Sequence, residues 1–206
     1  MSGDESLALL TDKELVQRAK RGCTRSFGEL ARRYQVPIRH FLQRKCGVRE
    51  DAEDLTQETF LRAFKKLWSF HEGAEFRPWI FTVAYRVALN ALRRQQWQSR
   101  LENSVPAVLE ARLGEGMENK EQRDRLWDRV QSVLTPLQFT VVWLFYVEQM
   151  SARDIGAILR KSEGAVKTIL CRARKVLLPH LQEFTAVFEA GIDKHPSPHI
   201  GSRHVL

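Results

Sequence analysis

At 206 residues, with 43% hydrophobic side chains, the chain is long enough for one or two compact domains and too apolar to be disordered throughout. Lys and Arg number 33 against 25 Asp and Glu, a formal net charge of +8 that favours a polyanionic partner. The longest apolar run, Val141 to Val147, is far short of the ~20 residues a membrane-spanning helix needs, so membrane insertion is not expected.

The N-terminal stretch MSGDESLALLTDKE is acidic and has no basic segment followed by an apolar one, so a signal peptide is not expected. Residues 12–34 are predicted as a first helical unit. Asp12 is its candidate N-cap, Leu15, Val16, Ala19, Phe27, Leu30, Ala31 and Tyr34 form its stripe, and Gly22 interrupts it. Pro37 is placed in the first turn of a second helix, 37–46. A third helix spans 49–68. Phe60, Leu61, Phe64, Leu67 and Trp68 are expected on its inner face, with Asp51, Asp54, Glu58 and Arg62 opposite and Leu55 projecting among them. An exposed Leu inside an acidic patch, on a basic protein, suggests a protein-docking surface.

The fourth helix spans 77–98. Phe70, Phe76 and Trp79 stand near Arg77 and Arg86, and the helix ends among Arg93, Arg94 and Arg100 with Trp97 between them. Rings beside cations are what single-stranded DNA needs, because bases stack while cations follow phosphates. Trp79 and most of the stripe with Ile80, Val83 and Val87 read as core. Thr82, Tyr85, Arg86, Asn90 and Arg93 are therefore the better DNA candidates.

Residues 99–121 lose apolar periodicity and are rich in acid, a linker candidate. A second helical unit runs from about Gln122 to Phe188, and the tail 189–206 reads as disordered. β-branched alternation is almost absent, so the expected fold is all-α, with two small helical domains joined by a flexible acidic linker.

Within the second unit, Ser151 can cap one helix bearing Ile155, Ile158 and Leu159. Ser162 can cap another bearing Val166, Ile169, Leu170, Ala173 and Leu177. The short turn between them makes a helix-turn-helix. The second helix's outer side carries Gly164, Thr168, Cys171, Arg172 and Lys175, flanked by Lys167 and Arg174. A basic outer face suits the major groove.

DAEDLTQETFLRAFKKL, a short loop, and RPWIFTVAYRVALNALRR together resemble region 2 of a bacterial RNA polymerase sigma factor. LTPLQFTVVWLFYVEQMSARDIGAILRKSEGAVKTILCRARKVLLPHL resembles region 4. Their order, the acidic linker and the absence of a region 3 resemble the extracytoplasmic-function (ECF) group, over about residues 22–98 and 122–185. The resemblance implies that Asp51, Asp54, Leu55, Gln57 and Glu58 dock on the β′ clamp coiled coil of core RNA polymerase, with the β subunit as a second contact. It implies that residues 69–97 open and hold the non-template strand of the promoter's −10 element. Phe70, Phe76, Arg77, Thr82, Tyr85, Arg86, Asn90 and Arg93 are the candidates there. The helix from Ser162 would read the −35 element through Ser162, Glu163, Gly164, Lys167, Thr168, Cys171, Arg172, Arg174 and Lys175. The linker would thread the polymerase's basic channel, and an anti-sigma factor is a further candidate partner.

The chain departs from the family pattern in three places. The usual I-A-R-N-x-x-x-D helix is Val83-Ala84-Tyr85-Arg86 here, with Asn90 in place of the acid. A usual Gly and apolar residue before Ser162 are Arg160 and Lys161. The usual Thr-Val-Lys-Ser-Arg is Ala165-Val166-Lys167-Thr168-Ile169. These positions bear on promoter preference.

A stand-alone helix-turn-helix regulator is the alternative, but it has no need of an acidic docking helix followed by a strand-capturing loop. An enzyme acting on nucleic acid would need clustered carboxylates for metal, or a nucleophile with a base. The acids at 50–58 have no such companions, so neither catalysis nor a metal or other cofactor is expected. Cys23, Cys46 and Cys171 are odd in number and widely spaced, and His195, His199 and His204 lie on the polar tail, so no metal or redox sensor is read from them. The expected setting is the reduced cytoplasm.

Overall fold

The computed structural model describes residues 7–46, 49–71, 73–101 and 118–180, and among these the secondary structure is helical throughout. Helix α1 (Asp12–Lys20) is capped by Thr11, not Asp12. The Thr11 hydroxyl accepts from the Glu14 amide at 3.3 Å while the Glu14 carboxylate takes the Thr11 amide at 2.7 Å. Asp12 instead accepts from the Tyr34 hydroxyl and the Arg33 guanidinium, tying α1 to the next helix. Gly22, at φ 97°, supplies the left-handed turn that ends α1.

Helix α2 (Thr24–Cys46) runs unbroken through Pro37, so the expected second start at that residue is corrected. A proline inside a helix costs about 3 kcal/mol through its missing N–H and its clash with the preceding turn. Here the same helix buries Phe27, Leu30, Ile38, Phe41 and Leu42, which offsets that cost. Helix α3 (Arg49–Lys66) continues into a 3-10 turn at Leu67–Ser69, and α4 spans Phe76–Leu101. Leu15, Leu30, Ile38, Leu42, Ile80, Phe81 and Val87 form the centre of this first unit, and the Phe41 and Phe81 rings meet edge to face.

The second unit begins with α5 (Glu118–Val133), which starts at Glu118 rather than near Gln122. Helix α6 (Pro136–Val142) is opened by a Thr135–Gln138 capping box with Pro136 in its first turn. The apolar run then unwinds into a π-helical turn, Trp143–Val147. Helices α7 (Ala152–Leu159) and α8 (Glu163–Leu177) follow. Trp127, Phe139, Trp143, Leu144, Ile155, Val166 and Leu170 form this unit's core. The units are not separate bodies: α4 lies along α7, and apolar packing is continuous between them. Of the segment assigned as acidic linker, 99–101 belong to α4 and 118–121 to α5, while 102–117 lie outside the described residues, as do 181–188 of the second unit and the tail 189–206. No helix among the described residues is long and apolar enough to cross a membrane.

Candidate nucleic-acid interface

Helix α3 is rotated from the sequence expectation: Leu67 is buried and Phe60 partly buried as expected, but Leu61, Phe64 and Trp68 are not. Its inner side is Ala52, Leu55, Thr56, Thr59, Ala63 and, in the following turn, Leu67. Leu55 is 6% exposed, so it does not project among the acids. The reason is size. Small residues at the inner positions let α3 approach α2 and α4 closely, and the two threonines are satisfied locally. Thr56 and Thr59 donate to the carbonyls of Ala52 (2.6 Å) and Leu55 (2.7 Å), so their burial leaves no orphan hydroxyl.

The large apolar residues are therefore left outside. Leu61 is 63% exposed, Phe64 46% and Trp68 78%. At 100° per residue they share one face with Asp54, Gln57 and Glu58. Asp54 and Gln57 are exposed, whereas Glu58 is partly buried and pairs with Arg62 at 2.6 Å. The side chain of Asp51 lies outside the described residues. Sequence reasoning missed this apolar strip because it took the largest hydrophobes as the inner face. The small-residue period 52, 56, 59, 63 was the available signal.

Around α4, the expected stacking rings Phe70 and Phe76 are both buried, which corrects their placement on an open strand-binding surface. Phe76 packs edge-on against Tyr34 at 5.3 Å, Phe70 against Trp79 at 5.3 Å, and Lys20 donates to the Phe70 carbonyl. Phe70, Phe76 and Trp79 thus form one aromatic cluster at the start of α4, closed on one side by Tyr34 of α2. Arg86, Asn90 and Arg93 are exposed, as are Arg94 and Trp97 farther along. Thr82 is partly buried and donates to the Pro78 carbonyl at 2.8 Å. Tyr85 is partly buried, with the Lys45 ammonium 5.6 Å from its ring centroid. Arg77 is partly exposed and donates to Glu148 of the second unit at 2.7 Å. Burial pushes the Glu148 carboxyl above the ordinary range, against the pull of Arg77.

The helix-turn-helix is built as its caps predict. The Ser151 and Ser162 hydroxyls accept from the amides of Asp154 (3.1 Å) and Ala165 (3.2 Å). Arg160 sits in the left-handed region at φ 54°, where a non-glycine residue costs about 1–2 kcal/mol. The turn holds because the Lys161 amide donates to the Gly156 carbonyl at 2.8 Å. Gly156 is required: a Cβ there would lie 2.6 Å from the Lys161 carbonyl oxygen.

On α8, Val166, Leu170, Ala173 and Leu177 are buried. The N-cap Ser162 is exposed. Gly164, Thr168, Cys171, Arg172 and Lys175 are exposed on the side of the helix away from that buried stripe, and Glu163, Lys167 and Arg174 are exposed on its flank. Lys167 pairs with Glu163 at 2.6 Å, and that hydrogen bond holds the Glu163 carboxyl below its usual range. Thr168 donates to the Gly164 carbonyl. Arg174 donates to the Tyr146 hydroxyl at 2.8 Å, with its guanidinium 5.9 Å from the Phe145 ring centroid. The π-helical turn thus supplies a shelf that fixes one cation at the far end of α8.

The described residues thus carry a basic helix-turn-helix face on one unit and an acidic–apolar helix face on the other. Residues 30–98 match the Sigma-70 region 2 model, and residues 126–177 match Sigma-70 region 4. The ECF RNA polymerase sigma factor BldN of Streptomyces coelicolor is 31% identical over 170 residues, covering 80% of this chain and 63% of BldN, just under two thirds of its length. The RNA polymerase sigma factor CarQ of Myxococcus xanthus is 31% identical over 156 residues, covering 74% of this chain and 87% of CarQ. The sigma factor RpoE of Bartonella quintana, solved in complex with the anti-sigma factor NepR, shares the fold. Its TM-score is 0.61 at 22% identity, over 76% of this chain and 96% of that one. The chain belongs to the RNA polymerase sigma factors, the DNA-binding factors of transcription initiation, and to their ECF group.

Proposed function

We propose that the chain binds core RNA polymerase through the outward face of α3 and directs it to promoters read by α4 and α8. The observation that carries this reading is the single continuous face of Asp54, Gln57, Glu58, Leu61, Phe64 and Trp68. An exposed apolar strip with an acidic end suits a helical protein partner, whereas acids oppose DNA. The β′ clamp coiled coil is that partner. Leu61, Phe64 and Trp68 take the role expected of Leu55, beside Asp54 and Glu58, and Asp51 remains a candidate contact by its sequence position. The β subunit is a second contact, through the region 4-like unit.

On α4, Arg86 and Arg93 follow the phosphates of the non-template −10 strand, Asn90 and Thr82 offer hydrogen bonds, and Tyr85 offers a ring. Arg77 joins them once freed from Glu148. On α8, residues near the N-terminus, from Ser162 to Thr168, meet base edges of the −35 element. Cys171, Arg172, Arg174 and Lys175 lie where the helix meets the backbone. Phosphodiester chemistry belongs to the polymerase, while this chain promotes promoter opening by holding the displaced strand, so it contributes recognition rather than catalysis, and it acts in the cytoplasm. An anti-sigma factor is a further partner, as one is for the RpoE chain of like fold.

The test is titration of fluorescently labelled chain with purified core polymerase. Saturable binding that weakens in the Leu61→Ala, Trp68→Ala double variant supports the reading. Binding unchanged by that variant, or no binding to core, contradicts it.

A further inference from the structure

The first unit is held to the second by cations reaching across. Arg44, near the end of α2, forms ion pairs with Asp124 and Asp128 of α5. Lys45 donates to the Thr140 hydroxyl at 2.9 Å. Arg77, in the first turn of α4, donates to Glu148, which is 4% exposed and also accepts from the Trp143 indole at 3.3 Å. In each of these contacts between the units the donor comes from the first and the oxygen acceptor from the second. Oxygen anions set against a guanidinium are what a phosphate backbone also presents.

Two features make this clasp one that can open. Asp124 and Asp128 are over a third exposed, where solvent screening keeps an ion pair weak, and the desolvation of buried Glu148 offsets much of its gain from Arg77. In addition, the Arg77 Nε is buried and makes no hydrogen bond, so the closed form leaves that guanidinium incompletely satisfied. A polyanion offering several oxygens can satisfy it better.

We propose that Glu148 acts as an internal substitute for nucleic-acid phosphate on Arg77 and, with the Arg44 clasp to Asp124 and Asp128, holds the free sigma factor in a closed form that promoter DNA must open. This rests on the assignment of α4 to the −10 strand and adds a means of keeping the unbound factor off DNA. Closure and strand binding are then reciprocally linked: whatever favours one weakens the other by the same factor.

The chain carries an exposed cysteine in each unit, Cys23 and Cys171, while Cys46 is buried. Spin labels on the two exposed thiols therefore report the distance between units in the full chain, by pulsed electron resonance. The wild type alone gives one narrow distance. Saturation with a random-sequence single strand of about 20 nucleotides broadens and lengthens it. The variant Arg44→Gln with Glu148→Gln leaves net charge unchanged. It shows the broad distribution without DNA and binds the strand about 3–10-fold tighter than wild type, because less of it is withheld in the closed form. A wild type that the strand fails to open, or a folded double variant that stays narrow and binds no tighter, overturns the proposal. If the double variant loses its helical signal, the wild-type comparison with and without strand decides alone. Transcription with core polymerase, run in parallel, separates the two ideas. A chain that starts transcripts yet never opens refutes the clasp alone, and a chain that starts none refutes the function and the clasp with it.

Discussion

Helices α3 and α8 are both amphipathic, both present charge to solvent, and both carry a proposed binding surface, yet they are organised in opposite ways. On α8 the large apolar residues Val166, Leu170 and Leu177 are inside, and the polar and basic ones are outside. On α3 the inside is largely alanine and threonine, and the large residues Leu61, Phe64 and Trp68 are outside. The difference matches what each surface would meet in its proposed role. A phosphate backbone asks for cations, so α8 can bury its hydrophobes by the ordinary rule. A protein partner asks for apolar area, so α3 keeps hydrophobes outside and closes its inner contact with small side chains.

The sharpest way to break this comparison is at Leu55. Because Leu55 is buried, Leu55→Ala should destabilise the protein by about 2–5 kcal/mol. Leu61→Ala, six residues along, should stay within about 0.5 kcal/mol. Urea unfolding measures both, and equal midpoints for the two variants would reverse the orientation given for α3.

The next effect is on docking. Leu61→Ala combined with Trp68→Ala should weaken affinity for core polymerase by roughly tenfold or more, since truncating anchor side chains commonly costs over ~1 kcal/mol each. Circular dichroism should be unchanged. An affinity equal to wild type would mean that the strip is not the docking surface.

On α8, Lys167→Ala should alter the preferred −35 bases by about 1–3 kcal/mol between promoters. Arg174, fixed on the Phe145–Tyr146 shelf, is placed for the backbone, so Arg174→Ala should lower transcription from every promoter alike and flatten its salt dependence. A library randomised at the −35 element, transcribed at two salt concentrations, separates these outcomes. The reverse pattern would mean that α8 enters the groove the other way round.

The smallest effect concerns acid. Hydrogen bonds from Arg32 and Arg33 hold the Glu29 carboxyl at about 2, below its usual 4.5. A carboxyl depressed in the folded state stabilises above its unfolded value, and that contribution is lost as pH falls from about 4.5 toward 2. Arg32 is well exposed, so solvent screening keeps the contribution small. Glu29→Gln should lower stability slightly near neutral pH and leave it unchanged near pH 2, which removes this part of the acid dependence. An unchanged acid transition would place the sensitivity elsewhere.

Much of the fold was legible in the sequence. The helix-turn-helix followed from Ser151 and Ser162 as caps and from large apolar residues at helical spacing, and the outward exposure of α8 came with it. The α2 helix was less legible, because Pro37 obeys a local rule that tertiary burial of Ile38, Phe41 and Leu42 overrides. The docking face was misread at Leu55 because side-chain size was taken as a guide to burial, and close helix approach inverts that guide. The burial of Phe70 and Phe76 depends on what the loop before α4 folds against, which no local pattern records. The contacts of Arg44 and Arg77 with the second unit join residues 71 or more positions apart and leave no periodic trace.

The most direct test of sigma-factor action is run-off transcription with purified core polymerase on a promoter library, with and without this chain. The account predicts transcripts that require the chain, start from a restricted set of sequences, and fall sharply with the Leu61→Ala, Trp68→Ala variant. Transcripts that are the same with core polymerase alone, alongside tight sequence-specific duplex binding by the free chain, would contradict it in favour of a self-sufficient helix-turn-helix regulator.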